Sequence, residues 1–275
     1  MQCFKNAEKI YAVGIFDRAF QYGDGCFTTA RLYQNHFELK ARHYSRLKHA
    51  AAHLFLDVDL DLIEQSLLQL RNEYVELNGT LKIIISRGEG KRGYSLPDHQ
   101  ADVYVYYYPS EVKCFEPQLI RSGVLDSLMG LTMPELVGIK SLNRIEQVIL
   151  KKEADEKGWI EALVCDVHGQ VVEGVSSNCF IRINDQWITP ELRYNGVHGV
   201  MRAEILQRMM QAGIDCQQRP IHQDEIPQFQ SIFFSNALSP MKVATHLHDT
   251  ILETQICVEL FQTLHLSQMH EYVKA

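Results

Sequence analysis

The stretch Lys82-Ile83-Ile84-Ile85-Ser86-Arg87-Gly88-Glu89-Gly90-Lys91-Arg92-Gly93-Tyr94-Ser95 opens as a buried strand and passes into a loop that matches G-x-G-x-x-G. A dinucleotide-binding fold needs that motif to open a helix whose N-terminus faces the pyrophosphate. Here Leu96-Pro97-Asp98 breaks the chain, and residues 102–108 read as a second strand. The motif is a long basic loop between two strands, so the doubly wound nucleotide-binding architecture is set aside. Hairpins with helices laid on them become the organising unit, which is an α+β fold.

Upstream, residues 11–16 and 26–33 read as strands from their β-branched and aromatic content, the second returning through Gln34-Asn35 to 36–39. The spacing predicts a helix over 40–54 and another over 60–77, where Leu60, Ile63, Leu67, Leu70 and Tyr74 fall three and four apart before Asn78-Gly79. Pro109 and Pro117, with alternating charge between them, mark a linker over 110–117. It separates a smaller N-terminal α/β domain, 1–109, from a larger C-terminal domain, 118–275. The larger domain reads as a strand over 118–124, a helix over 143–156 and short strands over 162–166, 171–173, 178–183 and 186–189. A helix over 200–211, strands near Cys216 and Ile232 and an amphipathic helix over 253–265 complete it.

A chain of 275 residues with 46% hydrophobic and 22% charged residues buries a sizeable core and suits two modest domains. Its formal charge of -7 gives no overall attraction to nucleic acid or to an anionic membrane, so a small anionic substrate needs a local basic pocket. The N-terminal segment carries Lys5, Glu8 and Lys9 where a signal peptide is apolar, and no run approaches the length of a membrane span. A cytoplasmic location is expected. Seven cysteines without a C-x-x-C pair indicate reduced thiols rather than a disulfide framework or zinc ribbon. His49 and His53 have metal-ligand spacing but lack the intervening Glu of a zincin and a nearby third ligand, so no metal is expected.

Four local features carry chemistry. Gly196-Val197-His198-Gly199-Val200-Met201-Arg202 places glycines before a helix, where unpaired N–H groups make a phosphate seat, although many loops enter helices through glycine. Arg46, in His43-x-x-Arg46, has the side chain suited to bidentate phosphate recognition; a solvated helix charge is the other reading. Lys140, flanked by Ile139 and Leu142, is an amine nucleophile if its surroundings strip its hydration, and otherwise a snorkelling surface residue. Glu173 ends a strand before a small polar turn, where a carboxylate can hold a cationic ring nitrogen. Together these are the parts that pyridoxal phosphate requires.

Over nearly its whole length the sequence resembles the fold type IV pyridoxal-phosphate enzymes, the group of branched-chain and D-amino-acid aminotransferases. The resemblance implies a two-domain fold with the cofactor between the domains, and a homodimer. It gives Lys140, in Gly-Ile-Lys-Ser-Leu-Asn-Arg, the lysine that carries the cofactor, and Glu173 the pyridine-nitrogen position. Arg46 and the backbone amides of Val200 and Met201 take the phosphate positions. The turn at Asn236 and Ala237 adds a backbone N–H, since Ala237 stands where the aminotransferases commonly offer Thr.

Two features resemble the lyase branch of the family: Thr28, where its aminotransferases usually carry Glu, and the 87–95 loop. They imply conversion of 4-amino-4-deoxychorismate to 4-aminobenzoate and pyruvate in folate biosynthesis, with a D-amino-acid or branched-chain aminotransferase as the alternative. In that reaction Lys140 is the general base and Thr28 positions or relays the proton for the departing enol. Arg87, Lys91, Arg92 and Tyr94 of the loop, with Arg31 of the neighbouring strand, are the expected partners of the substrate's carboxylates.

Overall fold

The computed structural model describes residues 1–267 and 269, and the chain divides into two units: Met1–Lys113 with Ile139–Asn143 and Met269–Ala275, and Cys114–Gly138 with Arg144–Gln268. The first unit contains β1 (Gln2–Lys5), β2 (Glu8–Lys9), α1 (Arg18–Tyr22), β3 (Gly25–Tyr33), β4 (His36–Phe37), α2 (Lys40–His53), α3 (Asp61–Glu73), β5 (Gly79–Ser86) and β6 (Asp102–Pro109). Its strands form one antiparallel sheet in the order β2-β1-β6-β5-β3-β4.

Alternation along these strands sends Cys26, Leu32, Leu81, Ile83, Ile85, Val103, Val105 and Tyr107 into one core with Leu47 and Ala50 of α2 and Ile63, Leu67 and Leu70 of α3. A slip of one residue would turn that whole set outward, so the register is strongly specified. Phe27, Thr29, Lys82, Ile84 and Tyr106, at the alternate positions, are half-buried. Residues 11–16, expected as a strand, pair with nothing in the sheet and form an exposed segment, with Tyr11 92% exposed. Their apolar side chains lack a core face, which is what a β-rich composition alone cannot supply. Helix α3 stops at Glu73 rather than near 77 because Tyr74 turns extended and sets its ring edge-on to Tyr107.

The open edge at the start of β3 receives Ile139–Asn143. Phe27 N donates to Lys140 O and Leu142 N to Gly25 O, each at 3.0 Å, so Lys140 is fixed by strand-like pairing although it lies beyond the linker in sequence.

The second unit contains β7 (Gln118–Ser122), α4 (Ile145–Glu156), β8 (Leu163–Cys165), β9 (Val171–Gly174), β10 (Asn178–Ile183), β11 (Gln186–Pro190), α5 (Val200–Gln211), β12 (Cys216–Arg219), β13 (Ser231–Asn236), β14 (Ser239–Leu247), β15 (Thr250–Ile251) and α6 (Gln255–Thr263). Its main sheet runs β12-β11-β10-β13-β14-β15, with β7 parallel to β14, while β8 and β9 pair separately. Strand β14 went unread in the sequence because most of it is buried on both faces, Lys242 included, so it shows no polar alternation. Among the described residues no helix is long and apolar enough to cross a membrane, and no cluster of three or more His, Cys, Asp or Glu could hold a metal ion.

Candidate active site

In the first unit, Lys140 Nζ lies 4.7 Å from the centroid of the Phe27 ring, and Lys82 Nζ lies 5.1 Å from the same centroid. Two cations thus share one aromatic ring, each attracted by its quadrupole. Lys82 is directly opposite Thr29 across β3 and β5, on the face that carries Phe27. Period-two alternation was the sequence signal that could have singled it out.

Thr28, fully buried, points to the helix-covered face. Its Oγ1 is 2.6 Å from His43 Nδ1 and accepts a hydrogen bond from Arg46 Nη2. A guanidinium only donates, so Arg46 takes one lone pair of Thr28 Oγ1; the second lone pair or the hydroxyl hydrogen meets His43 Nδ1, according to the imidazole tautomer. Burial, reinforced by the Arg46 charge, drives the His43 pKa well below its ordinary value. Burial also pulls Arg46 down to about 10, against the opposing effect of Cys26, which leaves it charged at neutral pH. Arg46 Nε is buried without a partner among the described residues, a donor still to be used. Thr28 thus links His43 to Arg46, with one lone pair orienting the guanidinium.

The basic loop is anchored by Asp24. Its Oδ2 accepts from Arg18 Nε and Arg87 Nε, both at 2.8 Å, while Arg87 Nη1 and Nη2 donate to Phe55 O at 3.0 Å and Leu54 O at 2.6 Å. Burial pushes the Asp24 carboxyl up, but the bonds from Arg87 and Arg18 more than reverse this and hold it below its ordinary value. Arg31 is likewise buried and ion-paired with Glu38 at 3.2 Å. Burial raises Glu38 to about 7 despite that arginine. Arg87 and Arg31 thus direct these donors to partners within the protein. Lys91, Arg92 and Tyr94 are exposed. Arg18 Nη1 donates to Gly93 O at 2.8 Å and Tyr22 Oη accepts from Gly93 N at 3.2 Å, fixing the loop beside them.

In the second unit, Glu173 closes β9 almost fully buried, and its Oε2 accepts from Val197 N at 3.0 Å and Asn178 Nδ2 at 3.3 Å. Asn178 Nδ2 also donates to Val197 O at 2.9 Å, so one amide ties the carboxylate to the glycine loop. Gly199 is the N-cap of α5 and no side chain caps the helix, which leaves the Val200 and Met201 amides without an intrahelical acceptor. A Cβ on Gly199 would fall 1.9 Å from Asn178 Oδ1, and Gly196 has φ +82°, so both glycines are required by geometry. Gly138 N donates to Gly196 O at 3.2 Å and His198 N to Gly138 O at 3.1 Å, binding this loop to the residue two before Lys140.

Arg202 fastens α5 from below, Nη2 donating to Pro190 O at 2.8 Å. Burial lowers the pKa of the half-buried Arg144, which Glu173 and Glu146 oppose. Asn236 spends its side chain within the protein, donating to Ser177 Oγ of a distant turn at 3.0 Å and accepting from Leu238 N and Ser239 N of its own turn, so at 236–237 the backbone is what is offered to a ligand. Asn178, His43, Lys82 and Arg202 were not anticipated from the sequence. Each owes its place to a partner on another element.

Within the second unit, an uncapped helix N-terminus behind a close-packed glycine suits a phosphate and a buried carboxylate held by two donors suits a cationic ring nitrogen; within the first unit, Arg46 keeps an unused buried donor among the described residues. The family model for class IV amino-transferases matches residues 25–245. An aminodeoxychorismate lyase of Vibrio harveyi is 30% identical over 232 residues, covering 82% of this chain and 84% of that protein. A D-alanine aminotransferase of Bacillus licheniformis is 26% identical, with 86% and 83% covered. The crystal structure of 4-amino-4-deoxychorismate lyase from Pseudomonas aeruginosa superposes with a TM-score of 0.85 at 28% identity, covering 96% of this chain and 98% of that one. The chain belongs to the class IV aminotransferase family and has the two-unit α+β architecture of the fold type IV pyridoxal-phosphate enzymes.

Proposed function

We propose that the protein is a lyase that converts 4-amino-4-deoxychorismate to 4-aminobenzoate and pyruvate, acting as a cytoplasmic homodimer. The observation that carries this reading is the uncharged hydroxyl of Thr28, locked between His43 and Arg46, where the family's aminotransferases usually carry Glu. Similarity to lyases over more than four-fifths of the chain supports it.

Bound pyridoxal phosphate supplies an electron sink joined to the substrate's amine-bearing carbon. By the family resemblance, its phosphate would be held by Arg46 and by the first amides of α5, and its pyridine nitrogen would be held by Glu173 through a charge-assisted hydrogen bond. Lys140 Nζ would serve as the general base that removes the C4 proton. Loss of the enolpyruvyl oxygen then aromatises the ring. The proton on Nζ would be returned to the methylene carbon of the departing enol, which completes the methyl group of pyruvate, and 4-aminobenzoate would leave as Lys140 Nζ regains its place from the product amine. Lys91 and Arg92 attract the two substrate carboxylates.

The test is pyruvate release from 4-amino-4-deoxychorismate by the purified protein with no keto acid added, recorded with its visible spectrum and its light-scattering mass. Release without acceptor and a mass of two chains are expected. A visible cofactor band without pyruvate would favour the aminotransferase reading, which the likeness to the D-alanine aminotransferase supports; D-alanine and branched-chain amino acids are then the amine donors to try. A mass of one chain would remove the dimer from the proposal.

A further inference from the structure

Below the turn that links Glu173 to Asn178 lies a buried carboxylate with no part in the chemistry described above. Glu161 is fully buried, and its carboxylate accepts from Ser176 N at 3.1 Å, from the Ser176 hydroxyl, from Ser177 Oγ at 2.6 Å and from Lys242 Nζ at 3.2 Å. Lys242, on β14, is itself buried. Three of the four donors therefore belong to the two serines of one turn, and the fourth belongs to the strand that follows the Asn236 turn.

Ser177 works in both directions. Its hydrogen goes to Glu161, and its oxygen accepts from Asn236 Nδ2 at 3.0 Å; the same amide also reaches Ser176 O at 3.3 Å. Gly174 N donates to Ser177 O at 2.6 Å, which closes the turn directly after Glu173. A Cβ on Gly174 would meet Phe234 Cδ1 at 2.6 Å and Glu161 Oε2 at 2.9 Å, so the backbone sits directly on the carboxylate. A continuous chain of hydrogen bonds thus runs from Lys242 through Glu161 and Ser177 to Asn236. One residue beyond Ser177 is Asn178, whose amide holds Glu173.

A buried ion pair is a poor source of net stability compared with apolar residues of the same volume. Its use here is directional: an acceptor-only carboxylate fixes the orientation of two hydroxyls at once. We propose that Glu161 and Lys242 are positioning residues that act through Ser176 and Ser177 to set the Glu173–Asn178 turn and the Asn236–Ala237 turn in one geometry. The pyridine-nitrogen carboxylate and the phosphate-side backbone are then presented together. This inference rests on the cofactor reading above.

The experiment titrates apoprotein with pyridoxal phosphate, following the visible band and its pH dependence, at temperatures well below the melting point of each variant. Ser177→Ala is expected to weaken cofactor binding about tenfold or more and to shift the pH profile of the band, whereas Ser177→Thr, which keeps the hydroxyl, stays within about twofold of wild type. Glu161→Gln/Lys242→Met, neutral and similar in volume, is expected to fold and to show the Ser177→Ala weakening. Wild-type affinity and an unshifted band in both Ser177→Ala and the double variant would overturn the proposal. A double variant that binds like wild type beside a weakened Ser177→Ala would overturn the role of the ion pair. If either variant does not fold, Glu161→Asp, with its charge retained and its reach shortened, must show the weakening, and wild-type binding by it overturns the proposal. Absence of binding by the wild-type protein is a separate outcome, and it is the cofactor reading that would then fall.

Discussion

Thr28 has two possible uses that make opposite demands on its hydroxyl. An acid must aim its hydrogen at the leaving group, whereas a positioning hydroxyl spends its contacts on His43 Nδ1 and Arg46 Nη2. Thr28→Val keeps the shape and removes both bonds. Arg46 then loses an acceptor beside its already unpartnered Nε, so cofactor affinity should fall about tenfold, while kcat at saturating cofactor falls by less. Loss of a true general acid would instead cost about 10²–10⁴ in kcat with affinity unchanged. Lys82 is open to a similar test. Lys82→Met preserves the stem over Phe27 and removes the cation; it should raise KM for an anionic substrate about tenfold and leave the visible cofactor band in place. An unchanged KM would exclude Lys82 from substrate recognition. Lys140 and Glu173 were legible because their flanking residues form recognisable local strings. His43 and Lys82 were not, since their roles come from partners across a sheet or a helix, and one sequence does not state those pairings.

Helix α5 was read with its observed ends because Gly199 and Gly213 bracket it, a local signal. The reason Gly199 must be glycine was invisible: it is the 1.9 Å approach of Asn178 Oδ1, from another strand, to the place a Cβ would take. Gly199→Ala should displace Asn178 from Glu173 and from Val197 O. Cofactor binding would weaken by more than about tenfold with the circular dichroism spectrum retained, and normal binding would show that the loop tolerates the shift. The corner between β4 and α2 makes a different prediction. Glu38 is buried there with its pKa raised to about 7, whereas in the unfolded chain it titrates near its ordinary value. The folded state therefore holds the extra proton, and stability falls as pH rises from about 4.5 to 7, by at most about 3 kcal/mol. His43 acts in the opposite sense, since its depressed pKa costs stability as pH falls below about 6.5. Comparing Glu38→Gln with wild type isolates the glutamate. The Tm difference should move in the variant's favour between pH 5 and pH 8, and a difference independent of pH would rule out the raised pKa.

The antiparallel character of the first unit was readable from one loop, because a proline-broken stretch followed by a strand cannot open a helix at a phosphate. The crossing of Ile139–Asn143 into that unit was not readable, since pairing with the open edge of β3 is a long-range event that linear order hides. That crossing separates the position of Lys140 from the second half of the chain, to which its sequence number assigns it. Charge poses the remaining question for the entire molecule. A net charge of -7 repels an anionic substrate at long range, whereas Lys91 and Arg92 stand exposed on a loop held by Arg18 and Tyr22. Salt separates the two effects, because at about 0.1 M the Debye length is about 10 Å and remote charges fade before near ones. If the loop dominates, raising sodium chloride from about 25 to 250 mM should lower kcat/KM for the dianionic substrate by about two- to fivefold, mainly through KM. Arg92→Ala should raise KM at low salt and flatten the dependence, and Lys91→Ala/Arg92→Ala should reverse its sign, since only the repulsion by the acidic surface would remain to be screened. A wild-type rate that rises with salt would mean that the net charge governs the encounter and that the loop arginine and lysine do not face the substrate.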